Sequence, residues 1–166
     1  MNFLNSIKVF KNNLLKKENI FFLILILFIF FLDRYSKNFI LNNFSEKRFY
    51  INDYLNFDLT WNTGIGFGLL SFDLEIIYNS ITFLIGVVIF ILFYLSIIST
   101  KLDKLIYCII IGGALGNFYD RLQYKAVPDF IDLHYNNFHW FTFNVSDVFI
   151  SFGVLVFILK GFYEKN

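Results

Sequence analysis

Four aspartates are the residues of this chain best placed to do chemistry: Asp33, Asp120, Asp129 and Asp147. Two carboxylates brought together in a low-dielectric pocket resist double ionisation, so one keeps its proton and the pair shares it. Such a pair can hydrolyse a peptide bond without a nucleophilic side chain. The ionised member takes a proton from water as it attacks the carbonyl, while the protonated member donates to the carbonyl oxygen and then helps the amine leave. Each aspartate also has a structural use. Asp33 and Lys37 are spaced i, i+4, Asp120 adjoins Arg121, and Asp147 near a helix start suits the macrodipole. For Asp33 and Asp120 the structural use is the better reading.

Other chemistries fit less well. No Ser, His and Asp set has convincing local context, and the lone Cys108 lies in an apolar run, which excludes an intramolecular disulfide and a cysteine-rich zinc site. Asp129, Asp132, His134 and His139 could in principle ligate a metal, but their spacing matches no HExxH-like pattern and the segment reads as a loop. No metal and no cofactor are expected.

The elements that must position these residues belong to a membrane protein. Of 166 residues 57% are hydrophobic and 16% charged, against roughly a quarter charged in an ordinary soluble domain. A net charge of +1 offers no basic field for nucleic acid. Ile76 to Ile98 is 23 residues without a charge, and at about 1.5 Å per residue it crosses a hydrocarbon core of about 30 Å. Four transmembrane helices are expected, at about 19–41, 75–99, 104–122 and 143–163, with outer loops at about 42–73 and 123–142. A cleaved signal peptide is the rival reading of the first run, but Asp33-Arg34-Tyr35 supplies no small-residue cleavage site. Lys8, Lys11, Lys16 and Lys17, then Lys101 and Lys104, then Lys160 and Lys165 fall on one side of a four-span chain, so both termini are expected to be cytoplasmic.

Alternating direction then carries Asp33, Lys37, Asn117, Asp120, Arg121, Asn144 and Asp147 to the outer interface, where costly polar groups should line a wet cavity. Gly113, Asn117 and Asp120 or Arg121 share a helix face, and Asn144, Asp147 and Ser151 another, so two polar stripes could meet. In the first outer loop Leu55, Phe57, Leu59 and Trp61 alternate with polar residues, which predicts a small β element. It runs into Gly64, Gly66 and Gly68, read either as a tight turn or as a place of close backbone approach. The fold class is thus an all-α membrane protein of four helices with a small extracytoplasmic β element.

These residues resemble signal peptidase II, the lipoprotein signal peptidase family of bacteria, in five segments taken in the family's order. Asp33-Arg34-Tyr35-Ser36-Lys37 is similar to its Asp-x-x-Thr-Lys element, and Asn62-Thr63-Gly64-Ile65-Gly66-Phe67 to its Asn-x-Gly-Ala-Ala-Phe element. Gly112 to Arg121 resembles Gly-Gly-Ala-x-Gly-Asn-x-x-Asp-Arg, Val127 to Phe130 resembles Val-Val-Asp-Phe, and Phe143 to Asp147 resembles Phe-Asn-x-Ala-Asp. The resemblance implies an aspartyl endopeptidase of the bacterial inner membrane, with its site at the periplasmic interface and an extracytoplasmic β cradle. The implied partner is a prolipoprotein whose cysteine already carries diacylglycerol, cut just before that cysteine; membrane lipid surrounds the enzyme, and a monomer is expected. By motif match the catalytic pair is Asp129 and Asp147, supported by Asn62, Gly64, Asn117, Arg121 and Asn144, with Asp33, Lys37 and Asp120 as structural polar residues. Asp120 is the nearest competitor for catalysis, ranked second because Arg121 beside it suggests a paired, ionised group. The sequence departs from the pattern at Ser36, Ile65, Gly66, Pro128 and Ser146.

Two readings from other classes use the same residues. A small proton-coupled transporter would need a polar path to the inner side, and none is visible in the sequence. A lipid-binding assembly factor would bind modified precursors without cutting them.

Overall fold

The computed structural model describes residues 17–45, 47–64, 74–136 and 138–164. Of the expectations above, those on Lys8, Lys11, Lys16, Lys165 and the run Ile65 to Gly68 lie outside the described residues.

Four long helices account for most of the chain: α1 (Glu18–Asn43), α2 (Leu74–Ile98), α3 (Lys101–Tyr124) and α4 (Val145–Tyr163). All four are long and apolar enough to cross a membrane. Their outer surfaces are apolar and open, with Phe21, Phe83, Phe90 and Phe162 each more than 60% exposed, which suits lipid rather than water. The third helix is the axis of the bundle, touching α1, α2 and α4. Its small residues allow this. A Cβ at Gly116 would collide with the Asp33 carboxylate of α1 and the Ser146 hydroxyl of α4 at once, so close helix approach and a buried carboxylate both depend on that glycine. Cys108 is a buried free thiol packed with Phe22, Ile26 and Ile111.

One end of the bundle is capped by an antiparallel sheet in the order β1-β2-β3-β4, formed by β1 (Phe49–Asn52), β2 (Leu55–Asn62), β3 (Val127–Tyr135) and β4 (Phe138–Phe143). The alternating segment from Leu55 does form a strand. The second outer segment, read as a loop, is instead a β-hairpin that extends the same sheet, and β3 is its interior strand, paired to β2 on one side and to β4 on the other. Asp129 therefore sits on a strand opposite Thr60, with Asn62 opposite Val127, which brings the first and second outer segments into one surface. At the other end of the bundle Lys104 bonds Glu18 and Asn19, and Lys160 bonds Asp103, so the helix ends far from the sheet are tied by polar contacts.

Candidate active site

The last turn of β4 into α4 fixes the geometry. Asn144 is the N-cap of α4: its Oδ1 accepts from Asp147 N at 3.1 Å, and Asp147 Oδ2 accepts from Asn144 N at 3.1 Å, a reciprocal capping box. With Oδ1 committed to the cap, the Asn144 amide nitrogen is free to donate to Asp129 Oδ1 at 2.6 Å. One fully buried side chain thus touches both aspartates. The other oxygen of Asp129 accepts from Asn62 Nδ2 at 2.9 Å, and the other oxygen of Asp147 from Asn117 Nδ2 at 2.7 Å.

Burial raises the Asp129 carboxyl above the ordinary carboxylate range; the amides of Asn62 and Asn144 pull it back down, and the nearby Asp147 charge adds to the rise. The surroundings of Asp129 thus favour its protonated form.

Behind the pair lies a buried ion cluster. Lys37 Nζ lies 2.9 Å from Asp33 Oδ2 and 2.7 Å from Asp120 Oδ2, with all three side chains wholly buried. Arg34 closes the cluster on both carboxylates, 3.1 Å from Asp33 and 2.8 Å from Asp120. Two negative and two positive charges cancel there, which is how charges survive burial. The cluster reaches the site along two lines. Asp33 Oδ1 accepts from Ser146 N at 2.9 Å, holding the first turn of α4. Lys37 also donates to Asn117 Oδ1 at 2.8 Å, which leaves the Asn117 amide nitrogen to face Asp147. The two polar stripes expected on α3 and α4 meet through this Asn117 contact, while Ser151 faces outward and takes no part.

Asp120 is a paired group, but its partners are Arg34 and Lys37 rather than the adjacent Arg121. Neighbours in sequence point to different sides of a helix, so adjacency was the wrong guide. Arg121 turns instead toward Gly64, whose φ is +75° and where an added Cβ would lie 3.0 Å from Nη1. Its guanidinium sits over the Tyr78 ring, and Nε and Nη1 are buried without a hydrogen-bond partner among the described residues. Asn117 and Arg121 both line an apolar cavity of about 610 Å³ between α2, α3 and α4, with Ile150 and Val154 on its α4 wall. Gly64 N donates to Asn62 Oδ1 at 2.7 Å, so the turn after β2 orients the amide that holds Asp129.

The described residues assigned to the site lie at the Asp129 and Asp147 pair or in the ion cluster behind it, except Gly64 and Arg121, which meet each other at the turn after β2. Arg34 was not singled out, although it stands inside the first motif; Tyr78, which donates to the Arg121 carbonyl at 3.1 Å, carries no sequence signal. Asp132, His134 and His139 do not join this site and form a separate group further along the hairpin. Among the departures from the family pattern, Pro128 is a buried strand residue paired with Trp61, and Ser146 is buried against Gly116 with its hydroxyl unpartnered among the described residues.

Residues 25–163 match the model of the Peptidase A8 family, described as signal peptidase (SPase) II. The chain is 46% identical to the lipoprotein signal peptidase of Pelagibacter ubique strain HTCC1062, over 87% of this chain and 89% of that one. It is 35% identical to the lipoprotein signal peptidase of Francisella tularensis subsp. mediasiatica strain FSC147, over 93% and 98% of the two chains. A solved bacterial membrane enzyme at 2.3 Å resolution is similar in fold, with a TM-score of 0.70 and 25% identity across 87% of this chain and 89% of that chain.

Proposed function

The chain belongs to the signal peptidase II family and is a membrane peptidase, and from that premise we propose that it removes the signal peptide from diacylglyceryl-modified prolipoproteins, cutting just before the modified cysteine. The observation that carries the reading is the double engagement of Asn144, which holds the carboxylates of Asp129 and Asp147 together at the sheet end of the bundle.

In the proposed reaction Asp129 is the acid and Asp147 the base. A water between them loses a proton to Asp147 as its oxygen bonds to the scissile carbonyl carbon, and Asp129 gives its proton to the carbonyl oxygen. The tetrahedral intermediate then collapses: the hydroxyl proton returns to Asp129, the proton on Asp147 passes to the leaving nitrogen, and the C–N bond breaks. The products are a signal peptide with a free carboxyl group and a lipoprotein with a free amine on its cysteine. The pair ends with one proton, as it began, and no metal or cofactor is consumed.

The apolar cavity beside Asn117 and Arg121 is placed to accept acyl chains or the signal peptide's apolar helix, while the unpartnered Arg121 nitrogens face polar groups of the bound precursor. The site lies at the end of the bundle where α1 and α3 finish and α4 begins, which with cytoplasmic termini is the periplasmic interface. The test is cleavage of one synthetic lipoprotein precursor by purified enzyme in detergent. The reading expects cleavage of the diacylglyceryl form and none of the unmodified form. Equal cleavage of both would remove the lipid requirement, and no cleavage of either would leave binding without catalysis.

A further inference from the structure

Three residues beyond Asp129 on β3, Asp132 is a carboxylate only 2% exposed, and no Lys or Arg pairs with it among the described residues. Its neighbours are His139 Nδ1 at 2.8 Å from Oδ2, Asn56 Nδ2 at 3.5 Å and His134 Nδ1 at 3.8 Å. Two imidazoles and an amide carry no fixed positive charge, so this carboxylate is buried without the partner that burial ordinarily demands. The sheet builds the group. His134 and His139 are direct cross-strand partners with ring centroids 5.3 Å apart, and β4 has one extra residue, Trp140, between the partners of Leu133 and His134. A bulge of that kind re-aims side chains, and here it sets His139 against Asp132.

A second observation is independent of the cluster's composition. His134 Nδ1, on a side chain 7% exposed, and Asn56 Oδ1 are both buried and without a hydrogen-bond partner among the described residues. His134 Nδ1 faces the Asp132 carboxylate at 3.8 Å, while Asn56 turns its Nδ2 to the group and leaves Oδ1 unpaired.

We propose that Asp132, His134 and His139 form a binding site for a divalent transition-metal ion of the zinc type. One carboxylate and two imidazoles are a zinc donor set with a fourth position left for water, whereas calcium and magnesium take oxygen shells. The donor atoms lie within 4.8 Å of one another. Bonds of about 2 Å place tetrahedral ligands about 3.4 Å apart, so the widest separations close by up to about 1.4 Å around the ion while the 2.8 Å pair of His139 and Asp132 opens slightly. The ion supplies the missing positive charge and takes Nδ1 of each histidine, which moves each ring proton to Nε2. A half-turn of the Asn56 amide then offers Oδ1 to His134 Nε2, 3.5 Å from the present Nδ2 position, so both orphaned atoms gain partners. His139 is 39% exposed at the side chain and provides the way in. Bound there, the ion clamps β3, the strand that carries Asp129, to β4, with β2 joined through Asn56. The site rests on the sheet alone and stands whether or not Asp129 and Asp147 are the catalytic pair.

These are the chain's only two histidines, which makes the test clean. Untagged protein in detergent, stripped with a chelator, is titrated with Zn²⁺ by calorimetry and with Co²⁺ by visible absorption. One Zn²⁺ per chain at micromolar affinity or tighter is expected, with cobalt d–d bands that zinc abolishes. Affinity should fall at least tenfold in His139→Gln and in His134→Gln, and Asp129→Asn should bind zinc as the wild type does. Zinc that fails to bind the wild type stoichiometrically, or that binds both histidine variants undiminished, overturns the proposal. If neither histidine variant folds, the wild-type cobalt spectrum decides, and the absence of d–d bands overturns it.

Discussion

The side chain of Asn144 donates to Asp129 at 2.6 Å while its own backbone N–H donates to Asp147 at 3.1 Å, so a single helix cap sets the spacing of two carboxylates carried on a strand and a helix. Cap and active-site clamp can be separated by substitution. Asn144→Asp keeps an oxygen to accept from Asp147 N but replaces the donor to Asp129 with a second negative charge. Because the new carboxylate would be wholly buried against Asp129, Tm should fall, and cleavage by the enzyme that remains folded should fall by a hundredfold or more. Asn144→Ala removes both functions, and the lost cap alone costs about 1 kcal/mol. Melting curves and initial rates for the two variants check this; an active Asn144→Asp enzyme would refute the clamp.

The raised proton affinity of Asp129 fixes the sign of two pH effects. In the proposed reaction the pair works singly protonated, so the alkaline limb of the rate profile, where Asp129 loses its proton, should lie above the ordinary carboxylate range. Stability moves oppositely to the usual aspartate. A carboxyl whose folded pKa is raised contributes stability below its unfolded pKa and loses it as pH rises through the folded value. The Tm of wild type relative to Asp129→Asn should therefore fall as pH rises above the ordinary carboxylate range. Thermal melts of both proteins across that rise in pH read the difference directly, and a gap that widens in favour of wild type at high pH would contradict the assignment of Asp129 as the acid. Asp129→Asn and Asp147→Asn should each abolish cleavage.

The buried cluster behind the site should behave as structure first. Lys37→Met leaves Asp33 and Asp120 buried with Arg34 alone to balance them, and breaking such a set by removing one partner costs about 3–5 kcal/mol. Because Lys37 also orients Asn117 toward Asp147, activity should fall with stability. Asp120→Asn removes a charge that touches neither Asp129 nor Asp147, so lowered Tm should exceed any loss of rate in protein that remains folded. A wild-type Tm with activity gone would instead promote Asp120 to a direct role.

Much of this arrangement is legible in the residues. Apolar runs mark the four helices, and chain direction alone carries the aspartates of α1, α3 and α4 to one end. The strand β3 is not legible, because Val127, Pro128, Asp129 and Phe130 are all buried and an interior strand loses the in-and-out alternation that marked β2. A proline and two aspartates in that stretch read as a loop. The partner of Asp120 is equally hidden. Arg34 reaches it across 86 residues of sequence, and a neutral cluster of four charges exists only once α1 and α3 are side by side.

Gly64 offers the last separation, between positioning and chemistry. Its φ of +75° is costly for any residue with a Cβ, by about 1–2 kcal/mol, and the added carbon would press on the Arg121 guanidinium. Arg121 contacts neither aspartate, but Gly64 N holds Asn62, which in turn donates to Asp129. Gly64→Ala should therefore raise KM for the diacylglyceryl precursor through Arg121 and lower kcat through Asn62. Arg121→Lys, which leaves the turn intact, should raise KM with little change in kcat. Steady-state kinetics on the two variants distinguish the routes. A Gly64→Ala enzyme with unchanged kcat would show that the turn serves Arg121 alone.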